Sequence, residues 1–441
     1  MNNTSRLQAI TEQIIVFAKK HRKTILILIV LAVVLPEVSV YFFRPGRGAD
    51  IHGYIQAGQD ALALKNLYLD STSGRHNTWP PFFSIICMPL ALLDRYLGLP
   101  PTKEIWYFFN FFLLIAASKM WMSLLVGERP KFISDEKLDF TSDIVFVPLL
   151  IILPAVINNF YWLQINPLIL FLVIYGYYFY RKNSFFVGGI FFALAASLKA
   201  FPVLILFYFI IRRRWKIAMW MVIFGLVFTI SPILFYGVSD FLEMFGKWLT
   251  ISFRQHFVVW HYHDNQSLYA MWERYLFLFL KVTQPASLLI HVFYWASVLI
   301  LLFMTVMVFL KADYQEHSWR AAFEFSSICI LMIIFPPIGW RHYFIFLYPA
   351  VATTYLFLKR HSFLFGIKSI KILFIVSITA LVLPYFLGKH IAYLLRMANN
   401  WTWAAIFLNA LILILLNKID NNIAKEILPM FQTEEIQKNV Q

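Results

Sequence analysis

The sequence predicts an all-α, polytopic membrane protein of about twelve transmembrane helices, with interfacial helices in its first outer loop. Three observations carry this. Of 441 residues, 60% are hydrophobic and only 14% are charged, where a water-soluble chain holds about a quarter charged. The apolar residues run in stretches long enough to cross a bilayer. The basic residues gather in the short connections between alternate stretches, which marks those connections as cytoplasmic. Phe, Tyr and Trp make up 19% of the chain, a share that suits lipid-facing surface and interfacial belts.

Residues 1–23 form a cytoplasmic N-terminal segment, because Lys19, Lys20, Arg22 and Lys23 sit just ahead of the first apolar stretch, residues 24–43. That stretch is too long for a signal-peptide core and lacks a small-residue cleavage site, so it is expected to stay as an anchor. Residues 24–417 then make one membrane domain, in which residues 44–103 are the first outer loop. Inside this loop the apolar run 82–98 is short and closed by Asp94-Arg95, which suits an interfacial or re-entrant helix better than a span. Further spans are expected near residues 103–126, 143–160, 163–180, 185–198, 201–211, 217–236, 286–310, 321–335, 342–358, 370–387 and 401–417. With 82–98 in the interface, the basic loops 129–137, 181–182, 212–216, 311–320 and 359–371 all fall inside. Inner segments then hold 23 of the 38 Lys and Arg residues and outer ones 14, with Lys119 inside a span. Residues 238–285 are a long outer loop and 418–441 a cytoplasmic tail, which places both termini inside a cell (inner) membrane.

Several classes are excluded early. The net charge of +15 is a topology signal, and no motif for nucleic acid accompanies it. Cys87 and Cys329 are far apart in apolar surroundings and support neither a disulfide framework nor a cysteine metal site. His261 and His263 beside Asp264 fall short of a metal-ligand set, so neither a metal nor a cofactor is expected.

The polar residues within this apolar chain collect on the outer side. Asp50 follows Gly48 and precedes Gly53 in the first outer loop, a setting that suits a group approached closely by something else. Asn158-Asn159 and Gln164-Ile165-Asn166-Pro167 form the next outer turn, and Lys199 the next apex. The long loop carries Asn265, Gln266 and Arg274, and a late turn carries Trp340 and His342. Each has a plainer reading. Lys199 could snorkel to the interface, Asp50 could pair with Arg44 or Arg47, and Gln164 and Asn166 could cap the helix at Pro167. Arg274 could be an interfacial anchor. Glu37 suits an ion pair, and Lys119 and Glu324, toward the inner ends of their spans, suit snorkelling. A single chemistry uses the set together. A carboxylate can act as general base on a hydroxyl, cations suit a phosphate leaving group on a lipid, and amides and rings suit a sugar. That is sugar transfer from a lipid-phosphate donor.

The order of several motifs adds to this. They are Gly48-Ala49-Asp50 with Tyr54; Leu67-Tyr68; Trp79-Pro80-Pro81-Phe82; Met88-Pro89-Leu90-Ala91; and Gln164-Ile165-Asn166-Pro167. Gly188-Gly189, Ser197-Leu198-Lys199-Ala200-Phe201-Pro202, the basic run 212–215, Asn265-Gln266-Ser267-Leu268 and Arg274 follow. In these the chain resembles bacterial glycosyltransferase family 87, the polyprenyl-phosphate-mannose-dependent mannosyltransferases of the GT-C class, over roughly residues 24–360. The resemblance implies a GT-C membrane fold and inverting transfer from a polyprenyl-phosphate sugar, on the non-cytoplasmic side, to a lipid or glycan acceptor. It maps the catalytic base onto Asp50, with Tyr54, Gln164, Asn166, Lys199, Asn265, Gln266, Arg274, Trp340 and His342 as substrate-binding candidates. The chain departs from the pattern at Trp79, where the family often has Tyr, and at Tyr343, where it often has a second His. A different sugar, such as an arabinofuranosyl donor, is the nearest rival. A lipid or sugar transporter is the rival from another class, though its polar groups should sit at the bilayer midplane.

Overall fold

The computed structural model describes residues 48–68, 79–126, 143–255, 263–281, 288–311, 318–418 and 428. The expected N-terminal segment 1–23, the anchor 24–43 with Glu37, Arg44 and Arg47, the inner loop 129–137, His261 and nearly all of the tail lie outside these residues. Among the described residues every regular element is a helix, as expected.

The chain enters through α1 (Ala49–Leu62), with Asp50 in the first turn, where a carboxylate favours the helix dipole. Next comes α2 (Pro81–Leu97), begun by a proline at its first position and ended at Gly98 with φ 81°. The two pack tightly: a side chain at Gly58 would meet the Cys87 carbonyl oxygen at 2.3 Å, so only glycine fits. Both helices fall within residues 44–103, the segment in which the sequence led to the expectation of interfacial helices. Then follow α3 (Leu99–Val126), α4 (Asp143–Trp162), α5 (Asn166–Arg181) and α6 (Phe185–Leu198). A 3-10 turn, Phe201–Val203, leads into α7 (Leu204–Ile211), and α8 (Trp215–Ile230) and α9 (Ile233–Gln255) come next. The second half holds α10 (Leu268–Leu280), α11 (Leu288–Leu310) and α12 (Trp319–Ile334). A 3-10 segment, Arg341–Leu347, opens α13 (Tyr348–Arg360), and α14 (Lys368–Val382), α15 (Gly388–Met397) and α16 (Asn400–Lys418) close the fold.

By length and apolar character five helical stretches among the described residues can cross a membrane: Leu99–Val126, Ile144–Trp162, Leu288–Leu310, Lys368–Tyr385 and Asn400–Asn417. Phe185–Leu198 and Phe201–Ile211 are apolar but shorter. The protein is therefore a multi-pass membrane protein. At its centre α12 is buried along its whole length, with α13, α16 and α7 against it.

Three elements differ from the sequence reading. The span expected at 217–236 stops at Ile230, and α9 turns away at 84°, with Gly237 at φ 77° inside it. Of the loop expected at 238–285, the described residues are largely helical and belong to α9 and α10. Residues 388–397, between the spans expected at 370–387 and 401–417, form α15, which buries none of its residues and leaves Ile391, Tyr393 and Leu394 exposed. Its apolar residues recur at helical spacing between Lys389 and Arg396, the pattern of a helix lying in the interface.

Glu324 is corrected too. It does not snorkel but is wholly buried, held by Arg212 through both carboxylate oxygens and by Arg320 at 3.0 Å. Arg320 also donates to the Val308 carbonyl at 2.8 Å and the Leu416 carbonyl at 3.3 Å. Four helices, α7, α11, α12 and α16, are therefore fastened at one end of the bundle. Lys119, also expected to snorkel, is half-buried. Removing one member of a buried ion group leaves charge uncompensated, at a cost of about 3–5 kcal/mol. Glu324→Leu should lower thermal stability of the detergent-purified protein by that order, whereas a variant as stable as wild type would show that the triad does not support the fold.

Candidate active site

At the opposite end of the bundle the turns between helices converge. The turn joining α4 to α5 is tight: Leu163 adopts φ 53°, and the Gln164 N–H donates to the Asn159 carbonyl at 3.0 Å. This turn aims Gln164 sideways, while Asn166 and Pro167 start α5. The Gln164 side chain joins three predicted residues. Its Nε2 donates to Asp50 Oδ2. Its Oε1 accepts from Lys199 Nζ at 3.1 Å and from the Tyr54 hydroxyl at 3.3 Å.

Lys199 is placed by the end of α6. Its backbone turns extended at φ −145°, ψ 133°, which breaks the helix and directs the side chain inward. The ammonium donates to Asn166 Oδ1 at 2.9 Å and lies 4.6 Å from the centroid of the Tyr343 ring. Only 9% of Lys199 is exposed, so it does not snorkel. Every acceptor named for it is a neutral oxygen or a ring face, so the ammonium is solvated by the protein without being neutralised there. The Asp50 carboxylate is one amide away.

Around this core the support is polar and dry. Asn166 Nδ2 donates to Asn159 Oδ1 at 2.9 Å, and Asn159 Nδ2 donates to the His342 carbonyl at 2.6 Å. The His342 ring packs against Tyr343, with Trp340 beyond it. Tyr54 stands among Trp79, Phe83 and Trp106. Burial, reinforced by the Asp50 carboxylate, pushes the Tyr54 hydroxyl well above its ordinary range, so it stays a neutral donor. The clearance beside Asp50 is taken up by the chain itself: a side chain at Gly48 would strike Leu163, and one at Gly53 would strike Trp79.

The remaining predicted residues form a separate fastening. Arg274 Nε donates to Asn399 Oδ1 at 2.7 Å and Nη2 to the Asn265 carbonyl at 2.7 Å. Asn265 Oδ1 accepts the Gly339 N–H at 2.9 Å, and its Nδ2 donates to the Pro337 carbonyl at 3.2 Å. Gln266 donates to the carbonyls of His263 and Arg396, and its backbone N–H donates to the Gly339 carbonyl at 2.7 Å. These contacts tie the start of α10 to the turn before Trp340 and to the start of α16. Arg274, a substrate-binding candidate in the sequence, donates to Asn399, a residue that sequence reasoning missed. The link joins positions 125 residues apart, with no local signal. Beside this fastening, Arg341 grips Asp264 through two contacts at 3.0 and 3.1 Å, with His263 and Arg396 next to the same carboxylate. Among the described residues no group of three His, Cys, Asp or Glu side chains could hold a metal ion.

The sequence model of glycosyltransferase family 87 matches residues 77–337, more than half of the chain. No curated protein and no solved structure matches it.

One buried carboxyl yields a test. Glu273 is 3% exposed, and its Oε1 has no hydrogen-bond partner among the described residues. Burial pushes its carboxyl up to about 8, with the neighbouring Arg274 opposing. The folded chain keeps this proton, while the unfolded chain releases it nearer 4.5. Its stabilising contribution is therefore full below 4.5 and is lost as pH climbs through 8. The Tm of the wild type should fall more steeply across that window than the Tm of Glu273→Gln. Parallel Tm curves would show that the carboxyl is ionised throughout.

Proposed function

Because the chain belongs to glycosyltransferase family 87, and is thus a membrane glycosyltransferase, we propose that it transfers mannose from a polyprenyl-phosphate donor to a lipid- or glycan-linked acceptor. The reaction takes place on the outer face of the cell (inner) membrane, both termini being cytoplasmic. It inverts the anomeric centre, and Asp50 is the general base.

The observation that carries this reading is the Asp50–Gln164–Lys199 row. A carboxylate in the first turn of α1 and a buried ammonium at the end of α6 stand one amide apart, with that amide in the turn between α4 and α5. Asp50 takes the proton of an acceptor hydroxyl as the hydroxyl oxygen bonds to the anomeric carbon. The bond from that carbon to the phosphate oxygen breaks on the opposite face, and polyprenyl phosphate leaves with the electron pair. A phosphate monoester is a competent leaving group, so one base is enough. Lys199 faces the phosphate and stabilises the charge that develops on it, with His342 beside it. Asn166 and Tyr54 hold the row in place. Trp340 offers a ring face to the sugar, while Asn265, Gln266 and Arg274 keep the turn that carries Trp340 and His342 in position.

Asp50→Asn keeps shape and hydrogen bonding but has no basicity. It should fold, bind the donor lipid and lose turnover by at least about a hundredfold, the lower end of a general-base contribution. Transfer at a tenth of the wild-type rate would end the mechanism. Lys199→Ala should weaken donor use by more than about tenfold through loss of a charge-assisted contact. Unchanged donor KM and turnover in that variant would remove Lys199 from the phosphate site. A cysteine placed at position 213, in the turn between α7 and α8, should react with an impermeant thiol reagent only from inside. Labelling from outside would invert the topology and the site with it.

A further inference from the structure

Burial draws the Lys199 ammonium down to about 7 against the pull of Asp50, and where both groups are ionised they carry opposite charges in a poorly hydrated site, in which attraction between ions is stronger than in water. Left to themselves they would close into an ion pair. They do not, because one neutral side chain stands between them. The Gln164 amide donates through Nε2 to Asp50 Oδ2 and accepts through Oε1 from Lys199 Nζ at 3.1 Å. A carboxylate on one side and an ammonium on the other leave the amide a single orientation, since each partner selects the matching end.

The amide is also held rigidly. Gln164 is 6% exposed, and its own N–H is tied to the Asn159 carbonyl at 3.0 Å in the turn where Leu163 has positive φ. The Tyr54 hydroxyl reaches the same Oε1 at 3.3 Å and accepts the Ile165 N–H at 3.4 Å, bracing both flanks of the turn. Lys199 is held in turn by Asn166 Oδ1 at 2.9 Å and by the Tyr343 ring at 4.6 Å.

We propose that the Gln164 side-chain amide is a spacer that keeps Asp50 and Lys199 from pairing with each other, so that the carboxylate remains a base and the ammonium remains open to a phosphate. Gln164 is then a positioning residue and not a substrate ligand. The inference rests on the preceding reading for the roles of Asp50 and Lys199, but the spacing itself does not depend on that reading. A direct ion pair would weaken both partners at once. The carboxylate would become a poorer proton acceptor, and the ammonium would meet the donor already neutralised. The neutral amide transmits polarisation from one to the other without cancelling either charge.

The test is an infrared titration of Asp50, read as the difference between each protein and the same protein carrying Asp50→Asn, with no substrate added. Among the described residues, the titratable groups that face Asp50 include Tyr54 on its own helix, Lys199 at the end of α6, and Tyr343 in the 3-10 segment, with His342 beside Tyr343. Two substitutions should move the midpoint in opposite directions. Gln164→Ser removes the spacer and lets the ions close, lowering the midpoint by about one unit or more, as an opposite charge in contact does. Gln164→Met keeps the volume but removes the donated hydrogen bond, raising it. Adding Lys199→Ala to Gln164→Ser should abolish the lowering. With radiolabelled polyprenyl-phosphate mannose as donor, Gln164→Ser should also raise donor KM more than Gln164→Met does.

A midpoint that is unchanged or raised in Gln164→Ser overturns the spacer. Were Gln164→Ser not to fold, a lowered midpoint in Gln164→Met would overturn it equally. Opposite shifts in a protein that transfers no mannose would leave the spacer standing and sink the proposed donor.

Discussion

A charge enclosed by apolar helices has to find its partners in the chain itself, because water is not there to supply them. The protein meets this requirement in three ways, and its architecture follows from them. Glu324 is matched by two arginines, which neutralises it and fastens one end of the bundle. Arg274 is matched by an amide oxygen and a backbone carbonyl, which fixes a turn. Among the described residues Lys199 is matched by amide oxygens and a ring, with Gln164 between it and the Asp50 carboxylate. The first two arrangements are closed and structural. The third is left electrically unfinished, and that sets the Lys199 end apart as the place for chemistry.

The two ends divide the labour of the molecule. At the Glu324 end, helices α7, α11, α12 and α16 are drawn together by guanidinium groups whose hydrogen bonds go to a carboxylate and to carbonyl oxygens at helix ends. At the Lys199 end the connections are short turns and 3-10 segments, with side chains from α1, α4, α5, α6 and the segment before α13 meeting over a few ångströms. Rigid packing along α12 lies between, so placement at one end is backed by fastening at the other.

Much of this was legible because it is local. Long apolar runs gave the helices, and α6 runs over the predicted residues 185–198. The isolated ions and amides at outer turns gave Asp50, Gln164, Asn166 and Lys199, which do meet. What stayed hidden is non-local or geometric. No feature near Glu324 announces Arg212, 112 residues away, so its burial looked like a charge reaching for water. Arg274 and Asn399 are likewise joined only by folding. The bend before α9 sits at Ser231-Pro232, a proline signal inside an otherwise apolar run whose overall composition reads as one straight span. Tyr343 was seen as a departure from a pattern; its use as a ring face for Lys199 needed coordinates. The 3.6-residue spacing of α15 is present in the sequence, but a ten-residue helix holding Lys389, His390 and Arg396 is too short and polar to register as a span.

The tight seam between α1 and α2 has a practical bearing on time rather than place. Cys87 lies on that seam, 5% exposed, with its carbonyl pressed against Gly58. Burial pushes its thiol well above the ordinary range, which leaves it inert while the seam is shut. Cys329 is sealed within α12. A thiol-specific label therefore meets a silent protein until the helix that carries Asp50 lifts from its neighbour. The rate at which Cys87 is modified is a clock for that breathing, wound into the native chain with no engineered reporter.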